Sequence, residues 1–239
     1  MLHAPTDNPV LVIQHEAAAH SGTLLEAFVN HGMAVEVRQL YAGTRLPDED
    51  DLEGYSGLVI LGGSMNVDQA QQFDFIAEEQ ELLRAALYAD VPVLGICLGG
   101  QQLAAAVGGA VYPRPKPEVG WLPVDLVADD LLFAGIASPF MALEWHAQSF
   151  TVPPEAVVLA RRGDDPGIQA FRYGRRAWGV QFHAEVDQSM LAHWIRRDNK
   201  GLKQREPELL RHLDTMMPYI AAESRLLCRR LVGNFVASI

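Results

Sequence analysis

A cysteine between two glycines is the residue in this chain best suited to nucleophilic chemistry. Cys97 lies in the sequence VLGICLGGQ at 93–101, where an apolar run predicts a strand and the residues after it predict a helix. Glycines two positions before and after the cysteine permit a sharp strand-to-helix turn that exposes the thiol. The N-terminus of the following helix favours the thiolate, which is the nucleophilic form. The alternative is that Cys97 is a small buried residue without a chemical role.

A histidine and a glutamate far along the chain can complete such a site. They occur in the sequence WGVQFHAEV at 178–186, which predicts a strand. Side chains two residues apart on a strand point to the same face, so His183 and Glu185 can enter one site together. A cysteine nucleophile needs a base, and that base needs a group to fix its tautomer, so we predict a triad with Cys97. An α/β-hydrolase places its acid before its histidine, and the order here disfavours that class.

Three motifs together resemble the class I (triad) glutamine amidotransferases. The sequence GICLGGQ at 95–101 is similar to the nucleophile motif of that family. The sequence GVQFHAE at 179–185 is similar to its histidine–glutamate motif, with Ala184 where proline is usual. The sequence LVILGGSM at 58–65 resembles its oxyanion strand, with Ser-Met where Pro-Gly is usual. The overall pattern, especially residues 62–65 and the loop at 145–146, resembles free-standing members that are similar to the amidotransferase domain of GMP synthase.

The resemblance implies a reaction and assigns roles to particular residues. Cys97 would attack the side-chain amide carbon of L-glutamine and form a γ-glutamyl thioester, while His183 protonates the departing ammonia. Water activated by the same histidine would then release glutamate. The backbone N–H groups of Gly63 and Leu98 would form the oxyanion hole, the second being the residue after the nucleophile.

Further residues are implied to bind the substrate. Gln101 matches the glutamine that holds the amino-acid end of the substrate, although a first-turn helix residue of this kind can also simply face solvent. The sequence EWHAQSF at 144–150 resembles the loop whose backbone holds the substrate, which assigns Ala147 and Gln148 to that role. His146 matches the usual histidine of this loop. A lone histidine beside a tryptophan is more often structural than basic, so we keep His146 out of the catalytic roles.

A zinc site is the alternative use of the same side chains. Cysteine, histidine and glutamate are all zinc ligands, and His146 could join the triad residues in such a set. The chain has no close Cys-x-x-Cys or His-x-x-x-His spacing. The triad explains these residues without a metal, so we predict no metal and no other cofactor. The sequence HEAAAH at 15–20 is one residue longer than the zinc-protease pattern, and we interpret it as a loop leading into a helix.

The alternation of short apolar runs with longer helical patterns predicts an α/β fold. We expect a mostly parallel open sheet with helices on both faces, of the flavodoxin-like type that the resemblance also implies. Predicted strands cover 10–13, 34–37, 58–61 and 91–96, and predicted helices cover 21–29 and 73–88. A small antiparallel extension carrying His146 would follow Gly109. Helices at 189–197 and 207–236 would form an extension, 189–239, packed on a single domain of residues 1–239.

Composition limits the compartment and the partners. The two cysteines, Cys97 and Cys228, form no disulfide framework, and a nucleophilic thiol must stay reduced, so we expect a cytoplasmic protein. The first nine residues lack the basic and apolar regions of a signal peptide, and no apolar run is long enough to span a bilayer. The net charge of −11 disfavours nucleic acid as a partner, and the scattered arginine pairs are most simply solvated surface features.

Three functional hypotheses follow. The first is a glutamine amidotransferase or glutaminase that supplies ammonia to an unknown acceptor. The chain has no ATP-binding motif of its own, so it would be either a stand-alone enzyme or the partner of a separate synthetase subunit. The second is a hydrolase of other γ-glutamyl amides or peptides that uses the same triad. The third is a non-catalytic regulatory subunit, which the intact triad disfavours.

Overall fold

Nine strands form one mixed sheet in the computed structural model, which describes residues 8–163, 165–197 and 201–239. The order across the sheet is β2-β1-β3-β4-β9-β8-β7-β5-β6. Strands β1 to β4 and β9 pair in parallel, whereas β5 to β8 continue the sheet with antiparallel pairs. The strands are β1 (Val10–Gln14), β2 (Val35–Gln39), β3 (Gly57–Ile60), β4 (Val93–Ile96), β5 (Val111–Leu126), β6 (Phe140–Phe150), β7 (Val157–Arg162), β8 (Asp165–Tyr173) and β9 (Ala177–Val180).

Helices cover both faces of the parallel half of the sheet. They are α1 (Leu24–Asn30), α2 (Phe75–Tyr88), α3 (Leu98–Ala106), α4 (Gln188–Arg197), α5 (Leu202–Arg205) and α6 (Pro207–Val236). Val10 and Val12 of β1 pack in the same buried cluster as residues of α1 and α6. Leu11 and Ile13 pack on the opposite face with residues of α2 and α3. This alternation follows from the two-residue period of a strand and confirms the predicted α/β fold.

The antiparallel region is built mainly from a long hairpin. Strands β5 and β6 pair from Val111↔Phe150 to Val124↔Phe140, with an irregularity between Pro113 and Glu118. As predicted, this region carries His146. No helix in the part of the chain that the structure describes is long and apolar enough to cross a membrane.

The first helix begins later than predicted. We predicted a helix from residue 21, which is wrong, because α1 starts at Leu24 and Thr23 is its N-cap residue. The preceding residues instead bind the segment that follows β9: the Thr23 N–H donates to the Glu185 carbonyl oxygen at 2.9 Å. Gly22 lies so close to this carbonyl that a Cβ there would be 1.9 Å from the oxygen. Shortly after the end of α1, Gly32 has a left-handed φ of 76°, which a glycine adopts readily.

The predicted strand at 178–186 is shorter in the structure. Strand β9 ends at Val180, and the residues after it are irregular. Their backbone is still held, since the Gln181 N–H donates to Gln169 and the His183 N–H donates to Leu143, each at 2.8 Å. Both faces of this segment are buried, rather than one face only.

The C-terminal region is helical, as predicted. Helix α6 runs for 30 residues and contains Pro218. Its last turns pack on the sheet, where the Phe235 ring lies 6.1 Å from those of Phe28 and Trp178. Its first half packs with α4 in a separate buried cluster. Residues 198–200 of the predicted extension lie outside the described residues, as do residues 1–7 and 164.

Glycines allow the start of α3 to lie directly against the sheet. Cys97 joins β4 to α3 with a φ of 52° and a ψ of −104°, so the predicted sharp turn is present. A Cβ at Gly99 would lie 2.1 Å from the Ile60 carbonyl oxygen, and one at Gly100 would lie 2.6 Å from that of Val180. A Cβ at Gly95 would lie 2.4 Å from the Gly99 oxygen. The glycines are therefore required mainly because the helix approaches the backbone of its neighbours.

This packing predicts that Gly99→Ala destabilises the protein. The added methyl group meets a backbone carbonyl that belongs to a central strand and cannot rotate away. We expect a loss of about 1–3 kcal/mol in the free energy of unfolding, measured by urea denaturation. Gly54→Ala is the matched control, because a Cβ there has no atom within 4 Å. Equal stability of the two variants would contradict this account of the turn.

Candidate active site

The structure brings the predicted triad residues together at the carboxyl ends of parallel strands. Cys97 follows β4, and His183 follows β9 by three residues. The His183 Nδ1 atom lies 2.7 Å from Glu185 Oε1, and the His183 side chain also hydrogen-bonds to Cys97. All three residues are buried. The carboxylate therefore fixes the imidazole with its other nitrogen available to the sulfur.

The charges around His183 favour its protonated form. Burial lowers the pKa of His183, but the charge of Glu185 and then that of Cys97 raise it, and the net pKa is well above the usual value. An imidazolium beside a thiol stabilises the thiolate, and the helix N-terminus at Cys97 acts in the same direction. The site is thus arranged to hold a thiolate–imidazolium pair.

A pocket opens directly above the sulfur. It contains three of the predicted residues, namely Gly63, Cys97 and His183. Leu98, Gln101, Ala147, Gln148 and Glu185 do not line it. The remaining lining residues are Glu16, Ala18, Ala19, Ser64, Trp145, Trp194 and Arg197.

The packing of Trp194, on α4, against His183 was not predicted. The Trp194 ring packs edge-to-face on His183 with a centroid distance of 4.9 Å, and lies 5.8 Å from the Trp145 ring. Its Nε1 donates to the Ala18 carbonyl oxygen at 2.7 Å. The ring therefore fixes one face of the imidazole and links α4 to the loop after β1. The sequence of an amphipathic helix does not indicate that one of its tryptophans will contact a histidine elsewhere in the chain.

The two predicted oxyanion donors lie side by side. Leu98 is the first residue of α3, where backbone N–H groups have no partner within the helix. Gly63 follows β3, and a Cβ there would lie 3.0 Å from Leu98 Cδ2. The next residue, Ser64, donates its hydroxyl to Glu16 Oε2 at 2.9 Å. Ser64 is the residue at which the loop first departs from the family motif, and this side-chain hydrogen bond holds the loop there.

Two of the predicted substrate-binding residues, Gln101 and Gln148, belong to a buried chain of amides, whereas Ala147 is a partly buried residue of β6. Gln101 is only 4% exposed, so the solvent-facing alternative is wrong. Its Nε2 donates to the Gln148 carbonyl oxygen at 3.4 Å and to Gln181 Oε1 at 3.2 Å. The Gln181 Nε2 in turn donates to Cys97 Sγ at 3.6 Å. Gln181 is therefore a contact of the nucleophile that sequence analysis missed, although it lies in a motif already identified.

His146 lies outside the pocket, between two buried glutamates. Its Nε2 is 2.9 Å from Glu118 and 3.1 Å from Glu144, and its Nδ1 donates to the Gln148 carbonyl oxygen at 2.7 Å. Glu118 also accepts from Arg162 and, at 3.0 Å, from Gln169. Arg162 belongs to one of the arginine pairs, 161–162, that we predicted to be solvated surface features, and this prediction is wrong because its guanidinium binds a buried carboxylate.

Among the described residues, Glu118, Glu144 and His146 form the group whose potential metal-binding atoms lie within 4.8 Å of one another. This group shares only His146 with the zinc set considered from the sequence. Burial lowers the pKa of His146, but its bonds to Glu118 and Glu144 raise it to about 9. Burial raises the pKa of Glu118, but His146 and then two arginines lower it to about 2. We interpret His146 and Glu118 as a charge pair, through which His146 fixes the Gln148 carbonyl oxygen.

The comparisons with known proteins agree with this geometry. Residues 17–199 match the family model described as glutamine amidotransferase class-I. The glutamine amidotransferase-like protein YfeJ of Salmonella typhimurium is 32% identical over 180 residues, which cover 72% of this chain and 74% of YfeJ. One subunit of the glutamine-hydrolyzing GMP synthase of Ignicoccus hospitalis is 37% identical over 143 residues, which cover 59% of this chain and 72% of that relative.

Solved structures show the same fold over nearly the whole chain. A glutamine amidotransferase from Thermotoga maritima has a TM-score of 0.80 and 28% identity, covering 95% of this chain and 99% of its own. One from Methylobacillus flagellatus has a TM-score of 0.84 and 27% identity, covering 98% of this chain and 96% of its own.

The charge pair at His146 predicts a particular pH dependence of stability. Because the folded pKa of about 9 exceeds the ordinary value, the stabilisation is complete below pH 6.5 and is lost as the pH rises through 9. The free energy of unfolding of the wild type should thus exceed that of His146→Gln most near pH 6. We expect this difference to fall by about 3 kcal/mol by pH 9.5 in denaturant titrations. His212→Gln, which changes an exposed histidine, is the control, and curves for wild type and His146→Gln that stay parallel would refute the pairing.

Proposed function

Because this chain belongs to the glutamine amidotransferase class-I family, we propose that its reaction is hydrolysis of the side-chain amide of L-glutamine through a Cys97 thioester. The chain is a glutamine amidotransferase enzyme, and the proposal concerns the chemistry and the residues that perform it. The observation that carries it is the cysteine at the head of α3 beside a histidine that is held at 2.7 Å by a glutamate. This is the arrangement that nucleophilic cysteine catalysis requires.

The proposed reaction has two stages. The Cys97 thiolate attacks the amide carbon, and the negative charge on its oxygen is met by the N–H groups of Gly63 and Leu98. The C–N bond then breaks while the His183 imidazolium gives its proton to the departing ammonia. In the second stage the neutral imidazole takes a proton from water, which attacks the thioester and releases glutamate and the thiolate. Glu185 holds the tautomer and balances the charge of His183 in both stages.

The pocket suits a small zwitterion. Glu16 and Arg197 line it and offer one negative and one positive group to an amino acid. We assign Gln101, Ala147 and Gln148 to substrate binding as the family motifs imply. These residues do not line the pocket, so the assignment rests on the motifs, and the structure adds that a buried bond from Gln101 to the Gln148 carbonyl oxygen ties the first turn of α3 to β6.

The acceptor of the ammonia is proposed to lie on a separate synthetase subunit. Relatives that are named as subunits of a glutamine-hydrolyzing GMP synthase support this assignment. We propose no nucleic-acid or membrane partner, in keeping with the net charge of −11. A reducing cytoplasm fits the need for a free thiol. We further propose that residues 1–239 form one domain, which the packing of α6 against α1 and α4 supports.

The first test is release of glutamate and ammonia from L-glutamine by the purified chain. Cys97→Ala should abolish turnover while leaving the circular dichroism spectrum unchanged. Cys228→Ala is the matched control, because this buried thiol lies on α6 and should leave the rate unchanged. A panel of γ-glutamyl amides and peptides should compete only weakly.

Two outcomes would contradict the proposal. Turnover that survives in Cys97→Ala would exclude the thioester mechanism. Cysteine-dependent cleavage of another γ-glutamyl compound, without cleavage of glutamine, would make the chain a hydrolase of that compound. Addition of a candidate synthetase subunit then tests whether a partner raises the rate.

The role of Glu185 predicts a second kinetic effect. Glu185→Gln keeps the size of the side chain but removes the charge that fixes the His183 tautomer. We expect kcat to fall by about 10²–10⁴ while the KM for glutamine changes little. The control Glu155→Gln changes an exposed glutamate and should behave as the wild type. A drop of less than threefold in the Glu185 variant would remove this residue from the triad.

A further inference from the structure

A second histidine–glutamate pair lies behind the pocket. His15 comes directly after β1, and its Nε2 is 2.6 Å from Oε1 of Glu79 on α2. Its Nδ1 is 3.0 Å from the carbonyl oxygen of Gly62, in the loop after β3. Both side chains are completely buried. The mechanism above uses neither residue.

The pair is held rigidly on every side. The second oxygen of Glu79 accepts from Gln102 Nε2 at 3.1 Å, and Gln102 lies on α3. The Phe75 ring stacks on His15 with a centroid distance of 5.3 Å. Burying two charged groups rarely adds net stability over apolar side chains of the same size. The pair is therefore better explained by the geometry it imposes than by stability.

The partners of His15 determine where its protons are. A backbone carbonyl oxygen only accepts hydrogen bonds, so the Nδ1 atom that faces Gly62 must carry a proton. The carboxylate of Glu79 also only accepts, so the other nitrogen carries a proton as well. Burial lowers the pKa of His15, but the charge and hydrogen bond of Glu79 raise it, and the net pKa lies above the usual value. His15 is thus a charged donor to the Gly62 carbonyl.

That donor fixes the direction of the next N–H group. The peptide bond between Gly62 and Gly63 is trans, so its C=O and N–H point in opposite directions. The C=O points to His15 in the protein interior, which directs the Gly63 N–H away from it. Gly63 lines the pocket together with Cys97 and His183.

A glycine–glycine peptide needs such a restraint. Two glycines permit many backbone conformations, and the loop sequence GGSM has no proline to limit them. We propose that His15 and Glu79 are positioning residues that hold the Gly62–Gly63 peptide with its N–H toward the pocket as an oxyanion donor. This inference rests on the proposed function, since it assigns the pair to the transition state of that reaction.

The test compares two substitutions at one position. His15→Leu removes the donor, whereas His15→Asn places an amide N–H near the position of Nδ1. We expect His15→Leu to lower kcat for glutamine by about 10²-fold with KM within threefold of wild type, as for loss of one oxyanion donor. His15→Asn should recover most of this loss. Glu79→Gln, which keeps the shape of the side chain, should give an intermediate kcat.

Alkylation of Cys97 by iodoacetamide separates positioning from general damage. This displacement occurs at a methylene carbon and forms no tetrahedral oxyanion. Its rate, followed by mass spectrometry at Cys97, should stay within twofold of wild type in every variant. If alkylation and kcat fall together, or if kcat does not change in His15→Leu, the inference is wrong.

A crystal structure of His15→Leu gives a readout that does not depend on turnover. We expect the Gly62 carbonyl to leave its inward position and the Gly63 N–H to leave the pocket. An unchanged peptide in the variant would overturn the inference. If the wild type fails to hydrolyse glutamine, the proposed function fails, and the peptide orientation still decides whether the pair positions this loop. If His15→Leu does not fold, the same measurements on Glu79→Gln decide the question.

Discussion

The site depends on the close approach of the first turn of α3 to the backbone of β3 and β9. The glycines at 95, 99 and 100 make this approach feasible, because a Cβ at any of them would lie within 2.6 Å of a backbone oxygen. The approach forces Cys97 into a φ of 52°, which an L-residue adopts only when its surroundings require it. The same contact brings the loops that follow β3 and β9 to the sulfur. Gly62, in the loop after β3, lies so near the His183 ring that a Cβ there would be 2.9 Å from His183 Cε1.

Three buried histidines surround this turn, and each faces a carboxylate. His183 faces Glu185, His15 faces Glu79, and His146 lies between two glutamates. What distinguishes them is the partner of the other ring nitrogen. In His15 and His146 that partner is a backbone carbonyl oxygen, so the Nδ1 proton of each ring is used in a hydrogen bond to the backbone. In His183 it is the sulfur of Cys97, and among the three only His183 lines the pocket. We propose that the same kind of pair serves proton transfer at His183 and restraint of the backbone at His15 and His146.

The sequence was informative where function depends on residues close together in the chain. The glycine–cysteine turn and the two-residue spacing of His183 and Glu185 are local patterns, and from them the meeting of the triad could be predicted. The α/β fold could be predicted from the alternation of short apolar runs with helical patterns. The pair of His15 and Glu79 joins residues 64 positions apart, and that of Arg162 and Glu118 joins residues 44 apart. Such pairs leave no local periodicity. The start of α1 was mispredicted for the same reason, because its preceding residues bind the carbonyl of Glu185.

The C-terminal helices take part in the site although they contribute no reacting group. Met190 and Leu191 of α4 are buried in one cluster with Leu213 and Ile220 of α6. This packing sets the position of Trp194, whose ring lies 4.9 Å from that of His183. An edge-to-face contact excludes water from one side of the imidazole and restricts its rotation. In the mechanism proposed above, His183 gives a proton to ammonia and then takes one from water, and both effects would favour these steps. The helical extension therefore limits how the imidazole can move through Trp194, and it also contributes Arg197 to the lining of the pocket.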